Sequence, residues 1–169
     1  SASSTSNYVA SVAVSNAGVI TVTSQNIPGV AGNITLTPTL SIYFVGPWAV
    51  QHLPENLLRG WKRAREHGVR LLSGSDAYAD PVTPFGPYNA GELALMAEHL
   101  DMGPLEVIRA ATADAAAALG LGDRLGTLEP GKLADVLVLG ADPSRDLAAL
   151  TDKGNIRLVI KEGRLAAER

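Results

Sequence analysis

The sequence contains no cysteine, and its 169 residues include only two tryptophans and two phenylalanines. The absence of cysteine excludes disulfide bonds, thiol catalysis and thiolate zinc sites. No segment approaches the roughly 18–20 consecutive apolar residues of a transmembrane helix, so no membrane span is expected. The first residues are rich in Ser and Thr and lack a basic segment, so no signal peptide is visible in this sequence, and one could have been removed. These features leave the cellular compartment open.

Charge is scarce in the first third of the chain. Asp, Glu, Lys and Arg are all absent from residues 1–54, and the first charged residue is Glu55. The net charge of the whole chain is −3, so no basic surface for nucleic acid is expected. The length fits one domain or two small ones. The break in composition suggests two segments of different origin.

The uncharged segment has the pattern of β structure. Apolar and small polar residues alternate in YVASVAV (8–14), VITVT (19–23) and NITLTPTL (33–40). This alternation is typical of half-buried strands. We therefore predict a three-stranded antiparallel meander, with Pro38 at a strand edge or end because proline cannot donate a ladder hydrogen bond.

After residue 54 the apolar period becomes that of a helix. Residues 54–68 place Leu57 and Trp61 on one face, and Gly68 is suited to the position just past a helix end. The apolar strand VRLLSG (69–74) follows at once. A helix leading directly into an apolar strand is typical of a parallel sheet with helices on its faces.

Two more helices are predicted downstream. The first covers residues 89–102, where Asn89 and Glu92 have the spacing of a capping box. The second covers residues 104–119, with Pro104 at its first position and a glycine, Gly120, after its end. The expected buried stripe of this second helix is Leu105, Ile108, Ala111 and Ala115.

The C-terminal residues return to strand patterns. Residues 134–140 and 156–168 are apolar and rich in β-branched residues. Between the two halves of the second stretch, Glu162 and Gly163 predict a two-residue hairpin turn. The Pro-Gly pair in LEPGKLAD (128–135) is suited to a type II turn.

Asp76 is the candidate functional residue. It ends LLSGSD (71–76), directly after a predicted buried strand. Functional groups collect at the carboxyl ends of strands in parallel sheets and barrels. A carboxylate there can bind a divalent metal and move a proton from an attacking water to a leaving group. It can equally cap a turn or the next helix, and the isolated pattern leaves both interpretations open.

Residues 38–168 resemble the C-terminal part of the amidohydrolase superfamily, in particular its dipeptidase-like and imidazolonepropionase-like branch. The likeness rests on GSDAYADP, NAGELALMAEHLDMGPLEVIRAATADAAAALGL, GDRLGTLEPGKLADVLVLGADPSRDLAAL and IRLVIKEGRL, in the family's order and spacing. TLSIYF (39–44) resembles the strand and loop found upstream. The resemblance implies part of a (β/α)₈ barrel that carries one or two metals, usually zinc. In that barrel Asp76 matches the metal ligand and general acid/base after strand eight.

The sequence departs from the family in its other metal ligands. The family's H-x-H pair has no match, because no two of His52, His67 and His99 are separated by one residue. The bridging lysine and two further histidines of the family are also unmatched. Zinc sites need three or four protein ligands, so Asp76 alone is not expected to hold zinc or another divalent metal. His52 lies in a possible loop, His67 at a helix end, and His99 beside Glu98, where we expect it to face solvent.

Residues 5–40 resemble the C-terminal β-sheet of type IV pilins, through SNYVASVAVSNAGVITVTSQ and AGNITLTPTL. Three hypotheses stay open at this point. The chain is a fragment related to metal-dependent amidohydrolases, which hydrolyse amide or other C–N bonds, and is not competent unless a complementing chain supplies the missing ligands. Alternatively, it is a pilin-like filament subunit, or a chimera without an evolved function. Self-association is expected in each case, because a partial barrel leaves an open strand edge.

The predicted fold is mixed α and β, with three regions. Residues 1–40 form a pilin-like antiparallel meander. Residues 41–125 form the end of a partial (β/α) barrel with two or three helices. Residues 126–169 form accessory strands of the β-sandwich type.

Overall fold

The computed structural model describes residues 9–14, 20–24, 35–41, 55–75 and 86–169. Within these ranges the chain forms a mixed α/β fold with short helices and small sheets. The strands are β1 (Val9–Val14), β2 (Ile20–Ser24), β3 (Thr35–Leu36), β4 (Arg70–Leu71), β5 (Val136–Leu139), β6 (Ile156–Lys161) and β7 (Arg164–Glu168). The α-helices are α1 (Glu55–Glu66), α2 (Pro87–Leu100), α3 (Pro104–Ala111) and α4 (Ala113–Ala118). None of the helices in the described ranges combines the length and apolar character of a membrane span.

The predicted meander is correct in its first two strands and wrong in its third. β1 and β2 pair antiparallel, with Val12 opposite Val22. β3 instead pairs parallel with β4, with Leu36 opposite Leu71. Alternation of apolar and polar residues identifies a strand but does not choose its partner. β3 also stops at Leu36, just before Pro38, as the missing donor of proline predicts.

The helix–strand unit that leads to the candidate site is confirmed. α1 ends at Glu66, and Gly68 has a φ of 81°, a conformation that glycine adopts without steric cost. The amide of Val69 donates to the carbonyl of Ala64, and β4 begins one residue later. The chain therefore reverses in one tight step from the helix into the parallel strand.

Helix α2 begins two residues earlier than predicted. Pro87 occupies its first position, and the amide of Gly86 donates to Asn89 Oδ1 at 3.2 Å. Proline suits this position because the first amides of a helix have no partner inside the helix. Glu92 does not serve as the capping residue that its spacing suggested.

The single helix predicted over residues 104–119 is divided at Thr112, which separates α3 from α4. The hydroxyl of Thr112 donates to the carbonyl of Ile108 at 2.7 Å, and its backbone leaves the helical region with φ −124° and ψ −87°. Bonds of this kind compete with the helix ladder. The predicted buried stripe is wrong, since Leu105 is 67% exposed. The residues that these helices bury are Val107, Ala110 and Ala116.

The core lies between the β3–β4 pair and the first three helices. Its buried members are Leu40, Trp61, Leu71, Met96, Leu100, Met102, Val107, Ala110 and Leu147. Ion pairs at the edge of this core join α1 to its neighbours: Lys62 contacts Asp101 after α2 at 2.6 Å, and Arg65 contacts Glu106 on α3 at 2.7 Å. The helices thus form a fixed support behind the parallel strands.

The C-terminal strands are confirmed as predicted. β5, β6 and β7 form an antiparallel sheet in that order. Glu162 and Gly163 link β6 to β7 with φ of 51° and 77°, the two positive values of a type I′ hairpin turn. Leu147, from a short 3₁₀ helix that precedes β6, is buried in the helical core.

Candidate active-site edge

The candidate site lies at the carboxyl ends of β3 and β4. Because the two strands are parallel, the segments that follow them leave the sheet at the same edge. The amide of Leu72 donates to the carbonyl of Leu36 at 2.8 Å and extends the pairing one step beyond β4. We define residues 37–41 and 72–75, which follow the two strands, as the strand-end pair. Functional groups of parallel sheets collect at such an edge.

A buried carboxylate holds the first half of the strand-end pair. Glu92 projects from α2 and accepts the amide of Leu40 on Oε1 at 2.7 Å and the amide of Ser41 on Oε2 at 2.6 Å. Its side chain is fully buried. Burial raises the pKa of the Glu92 carboxyl above its ordinary value, and the amides of Leu40 and Ser41, together with the Ser41 side chain, oppose that rise without cancelling it. Successive backbone amides of this kind form a concave binding site for an anion.

A second hydrogen bond joins the two halves of the strand-end pair. The hydroxyl of Ser41 donates to the carbonyl of Ser75 at 3.0 Å, between two residues that are both buried. Ser75 is only 5% exposed. The residue after Ser75 is Asp76, which lies outside the described residues. The structure therefore fixes the point from which the chain continues into Asp76.

Close packing also fixes the strand-end pair. A Cβ atom added at Gly74 would overlap Cγ2 of Thr37, so the small residue predicted after the strand is required by its neighbour. Thr39 has a φ of 51°, which is uncommon for a β-branched residue. Residues held in such conformations collect at functional sites, where the surrounding contacts determine them.

Two of the three histidines, His67 and His99, lie in the described ranges. His67 is exposed after α1, with Nδ1 2.8 Å from the carbonyl of Arg63. His99 is on α2, with Nε2 3.9 Å from Glu98, and its side chain is only 22% exposed, so our expectation that it faces solvent is wrong. His52 lies outside the described residues.

The described residues do not by themselves fit a metal site. Within the described ranges, no three His, Cys, Asp or Glu side chains lie close enough together to hold a metal ion. The carboxylate at the strand-end pair, Glu92, is already occupied by two backbone amides. A structural or catalytic zinc needs at least three protein ligands.

A separate cavity of about 570 Å³ lies between the helices and the C-terminal sheet. Its lining is mostly aliphatic: Leu93, Ile108, Ala111, Thr112, Gly126, Thr127, Leu128, Leu133, Asp135, Val136, Leu137, Leu139, Pro143 and Leu150. The one carboxylate in it, Asp135, accepts Lys161 Nζ at 3.0 Å and the Glu162 amide at 2.7 Å. The cavity does not include any residue of the strand-end pair.

Sequence reasoning reached part of this arrangement. It predicted the strand end, but it missed Glu92 and the Ser41–Ser75 contact, and the role of Asp76, which lies outside the described residues, stays a prediction. Glu92 stands three residues after Asn89, so its local spacing imitated a helix cap. No short-range pattern indicates that a glutamate will bind amides 51 and 52 residues away.

Comparison with known proteins identifies relatives of most of the chain. The sequence matches the Amidohydrolase family over residues 28–166. It is 34% identical to imidazolonepropionase of Symbiobacterium thermophilum over 114 residues, which cover 63% of this chain and 25% of that protein. It is 35% identical to ochratoxinase of Aspergillus niger over 120 residues, which cover 70% of this chain and 24% of that protein.

Solved structures give the same result. The crystal structure of A. niger ochratoxinase superposes with a TM-score of 0.65 at 31% identity, over 78% of this chain and 32% of that one. A Xaa-Pro dipeptidase with bound methionine in its active site superposes with a TM-score of 0.58 at 33% identity, over 69% of this chain and 26% of that one. The chain thus spans about a quarter to a third of the length of these relatives.

The match also revises the predicted boundary between the two segments. It begins at residue 28, ten residues before the start inferred from the sequence and inside the segment that we likened to pilins. The comparisons give no support to the pilin-like interpretation of residues 5–40. With most of its length matched in order, this chain belongs to the Amidohydrolase family.

Proposed function

We propose that this chain is part of a metal-dependent hydrolase of amide or other C–N bonds, and that Asp76 is its proton-transferring carboxylate and a metal ligand. Family membership supports the reaction class. The observation that carries the site is the buried Ser41–Ser75 hydrogen bond. It directs the chain into Asp76 from the shared carboxyl edge of two parallel strands, where functional groups of such sheets collect.

The proposed role of Asp76 is to move one proton twice. Its carboxylate accepts a proton from the attacking water as the water oxygen bonds to the substrate carbonyl carbon. When the C–N bond breaks, the same proton goes to the leaving nitrogen, and the carboxylate is restored. A divalent metal such as zinc would supply Lewis-acid chemistry to this reaction, and Asp76 would be the ligand that this chain contributes.

The remaining ligands of that metal would come from outside the described residues. A second copy of this chain is the proposed source, because self-association is expected at an open strand edge. We also propose that residues 41–125 supply the last α/β units of the barrel, which β3 joins by pairing with β4, and that residues 126–169 supply accessory strands.

The substrate class that we propose is a small amide, in particular a dipeptide. One relative is a Xaa-Pro dipeptidase, whose name describes a dipeptide substrate. The chain should be purified with zinc, assayed for bound metal, and tested against Xaa-Pro dipeptides over a range of protein concentrations. We expect bound metal and hydrolysis that increases more steeply than protein concentration, since self-association would complete the site.

Asp76→Asn should lose both metal and hydrolysis, because the amide cannot take a proton from water. Asp80→Asn is the matched control, since it removes the same charge from the same ten-residue stretch of sequence. Loss of metal in both variants would assign the effect to charge alone and contradict the role of Asp76. A folded wild-type chain with no metal and no hydrolysis at any concentration would overturn the proposed function. No finding favours the filament or chimera hypotheses.

A further inference from the structure

We propose that Glu92 is a positioning residue: through Leu40 and Ser41 it fixes Ser75, the strand end from which Asp76 follows. The effect on catalysis that this inference implies rests on the proposed function. The path from Glu92 to Ser75 consists of three hydrogen bonds. Glu92 accepts two amides of the first strand end, and the hydroxyl of Ser41 then donates to the carbonyl of the second.

The position of Glu92 on its helix supports a specific role. Glu92, Met96 and Leu100 follow each other at intervals of four, so they share one face of α2, and all three are fully buried. The face is apolar except for the member that meets the strand-end pair. A buried carboxylate is costly unless its oxygens are bonded, so an apolar residue would be the simpler choice for packing alone.

Two backbone constraints also act on the strand ends that Glu92 holds. Thr39 adopts a left-handed φ directly before the two amides that Glu92 accepts. Gly74, directly before Ser75, has no room for a Cβ because of Thr37. Both constrained residues are next to residues of the hydrogen-bonded path. The hydrogen bonds of Glu92 and Ser41 therefore hold the two strand-end segments in one arrangement. We infer that releasing Glu92 moves Ser75 and the residue that follows it.

The test uses the full chain and follows backbone amides by nuclear magnetic resonance. In Glu92→Gln, one amide–carboxylate bond becomes a contact between two donors. Hydrogen exchange at Leu40 and Ser41 should then accelerate by about tenfold relative to other core amides. The amide resonance of Asp76 should shift in the folded protein. Glu98→Gln is the matched control, since Glu98 is on the same helix and 71% exposed, and it should change neither signal.

A double-mutant cycle of Glu92→Gln and Ser41→Ala distinguishes the positioning of Ser75 from a general effect on the stability of the fold. Ser41→Ala removes the hydroxyl that reaches Ser75 but keeps the amide that Glu92 accepts, so it should shift the Asp76 resonance without accelerating exchange at Ser41. In the Ser41→Ala background, Glu92→Gln should cause little further shift, because the path is already broken. Equal shifts in both backgrounds, or an unchanged Asp76 resonance in either single variant, would refute the positioning role. If Glu92→Gln does not fold, Glu92→Asp, which keeps the carboxylate but shortens its reach to the two amides, takes its place in both backgrounds with the same expected outcomes.

Failure of this inference can be told apart from failure of the proposed function. If the wild-type chain holds no metal and hydrolyses nothing, the resonance and exchange experiments still report on the path from Glu92 to Ser75. If hydrolysis is observed, Glu92→Gln and Ser41→Ala should lower kcat and leave KM unchanged, because neither side chain is proposed to bind substrate. A rise in KM with constant kcat would assign Glu92 to substrate binding and contradict positioning.

Discussion

The parallel pair β3–β4 and the antiparallel sheet β5–β6–β7 differ in what holds each of them together. The parallel pair β3–β4 has two residues in each strand and joins positions 35 residues apart in the sequence. Its strand ends are buried and held by Glu92 and Ser41. The antiparallel sheet β5–β6–β7 has longer strands, and a two-residue turn links its last two.

The comparison shows which sheet depends on the rest of the molecule. A pair of two-residue strands is too short to be stable alone, so β3 and β4 exist because the helical core and Glu92 support them. Neighbouring segments form the β6–β7 hairpin, and every residue of β7 is exposed. The helical core therefore supports the edge that carries the candidate site, while the C-terminal hairpin is largely a local structure. The following substitutions test this difference.

The largest effect is expected in the helical core behind the parallel edge. Leu100 is fully buried in the cluster that also holds Leu40 and Leu71, so Leu100→Ala should lower the free energy of unfolding by about 2–5 kcal/mol. Leu165 lies on β7 and is 58% exposed. Leu165→Ala should change the free energy of unfolding by about 0.5 kcal/mol or less.

Urea denaturation followed by circular dichroism measures both variants against the wild type. Equal losses for Leu100→Ala and Leu165→Ala would mean that another surface covers β7 in solution. The contrast drawn between the two sheets would then be wrong. A larger loss at Leu100 alone would locate the stabilising contacts behind the parallel pair.

The sequence predicted local features of this fold well. Gly68, Gly120 and Gly163 all have the positive φ that their positions in the pattern require. Periodicity placed α1 and the C-terminal strands, and the turn chemistry of Glu162 and Gly163 gave the hairpin. Each of these features depends on residues within a few positions of one another.

The features that sequence reasoning missed depend on distant residues. The partner of β3 is set by tertiary packing, since alternation is the same in parallel and antiparallel strands. Glu92 resembled a helix cap locally and proved to be a long-range ligand of two amides. At the candidate site, the sequence predicted the strand end and its small residues around Gly74, and Asp76 stays a prediction. It did not supply the contacts that orient the strand end.

The second prediction compares the pH dependence of one carboxyl from each sheet. Burial raises the pKa of Glu92 above its ordinary value of 4.5. The folded state therefore holds this proton more tightly than the unfolded state. The stabilisation linked to Glu92 is complete below the unfolded pKa and is lost as pH rises through the folded pKa. Relative to Glu92→Gln, the wild type should thus lose stability as pH rises from about 4.5.

Asp135 beside the C-terminal sheet should behave in the opposite sense. The amide of Glu162, and then Lys161, hold the pKa of Asp135 below its ordinary value of 3.8. Its stabilisation is present above the unfolded pKa and is lost as pH falls through the folded pKa. Urea midpoints of the wild type, Glu92→Gln and Asp135→Asn should be measured between about pH 3 and pH 7. The two quantities to compare are the urea midpoint of the wild type minus that of Glu92→Gln, and the urea midpoint of the wild type minus that of Asp135→Asn. If both differences changed with pH in the same direction, the opposite environments of the two carboxyls would be contradicted.

The smallest effect is expected at the turn of the C-terminal hairpin. Glu162 adopts a φ of 51°, which asparagine tolerates better than glutamate, and Asn-Gly is the preferred pair for a type I′ turn. Glu162→Asn keeps the backbone amide that Asp135 accepts, so it should raise the free energy of unfolding by about 0.5 kcal/mol or less. Gly163→Ala is the matched opposite change, since its φ of 77° is strained for any residue with a Cβ. Thermal unfolding of the two variants should therefore move in opposite directions. Loss of stability in Glu162→Asn would mean that the glutamate side chain, and not turn geometry alone, holds the hairpin together.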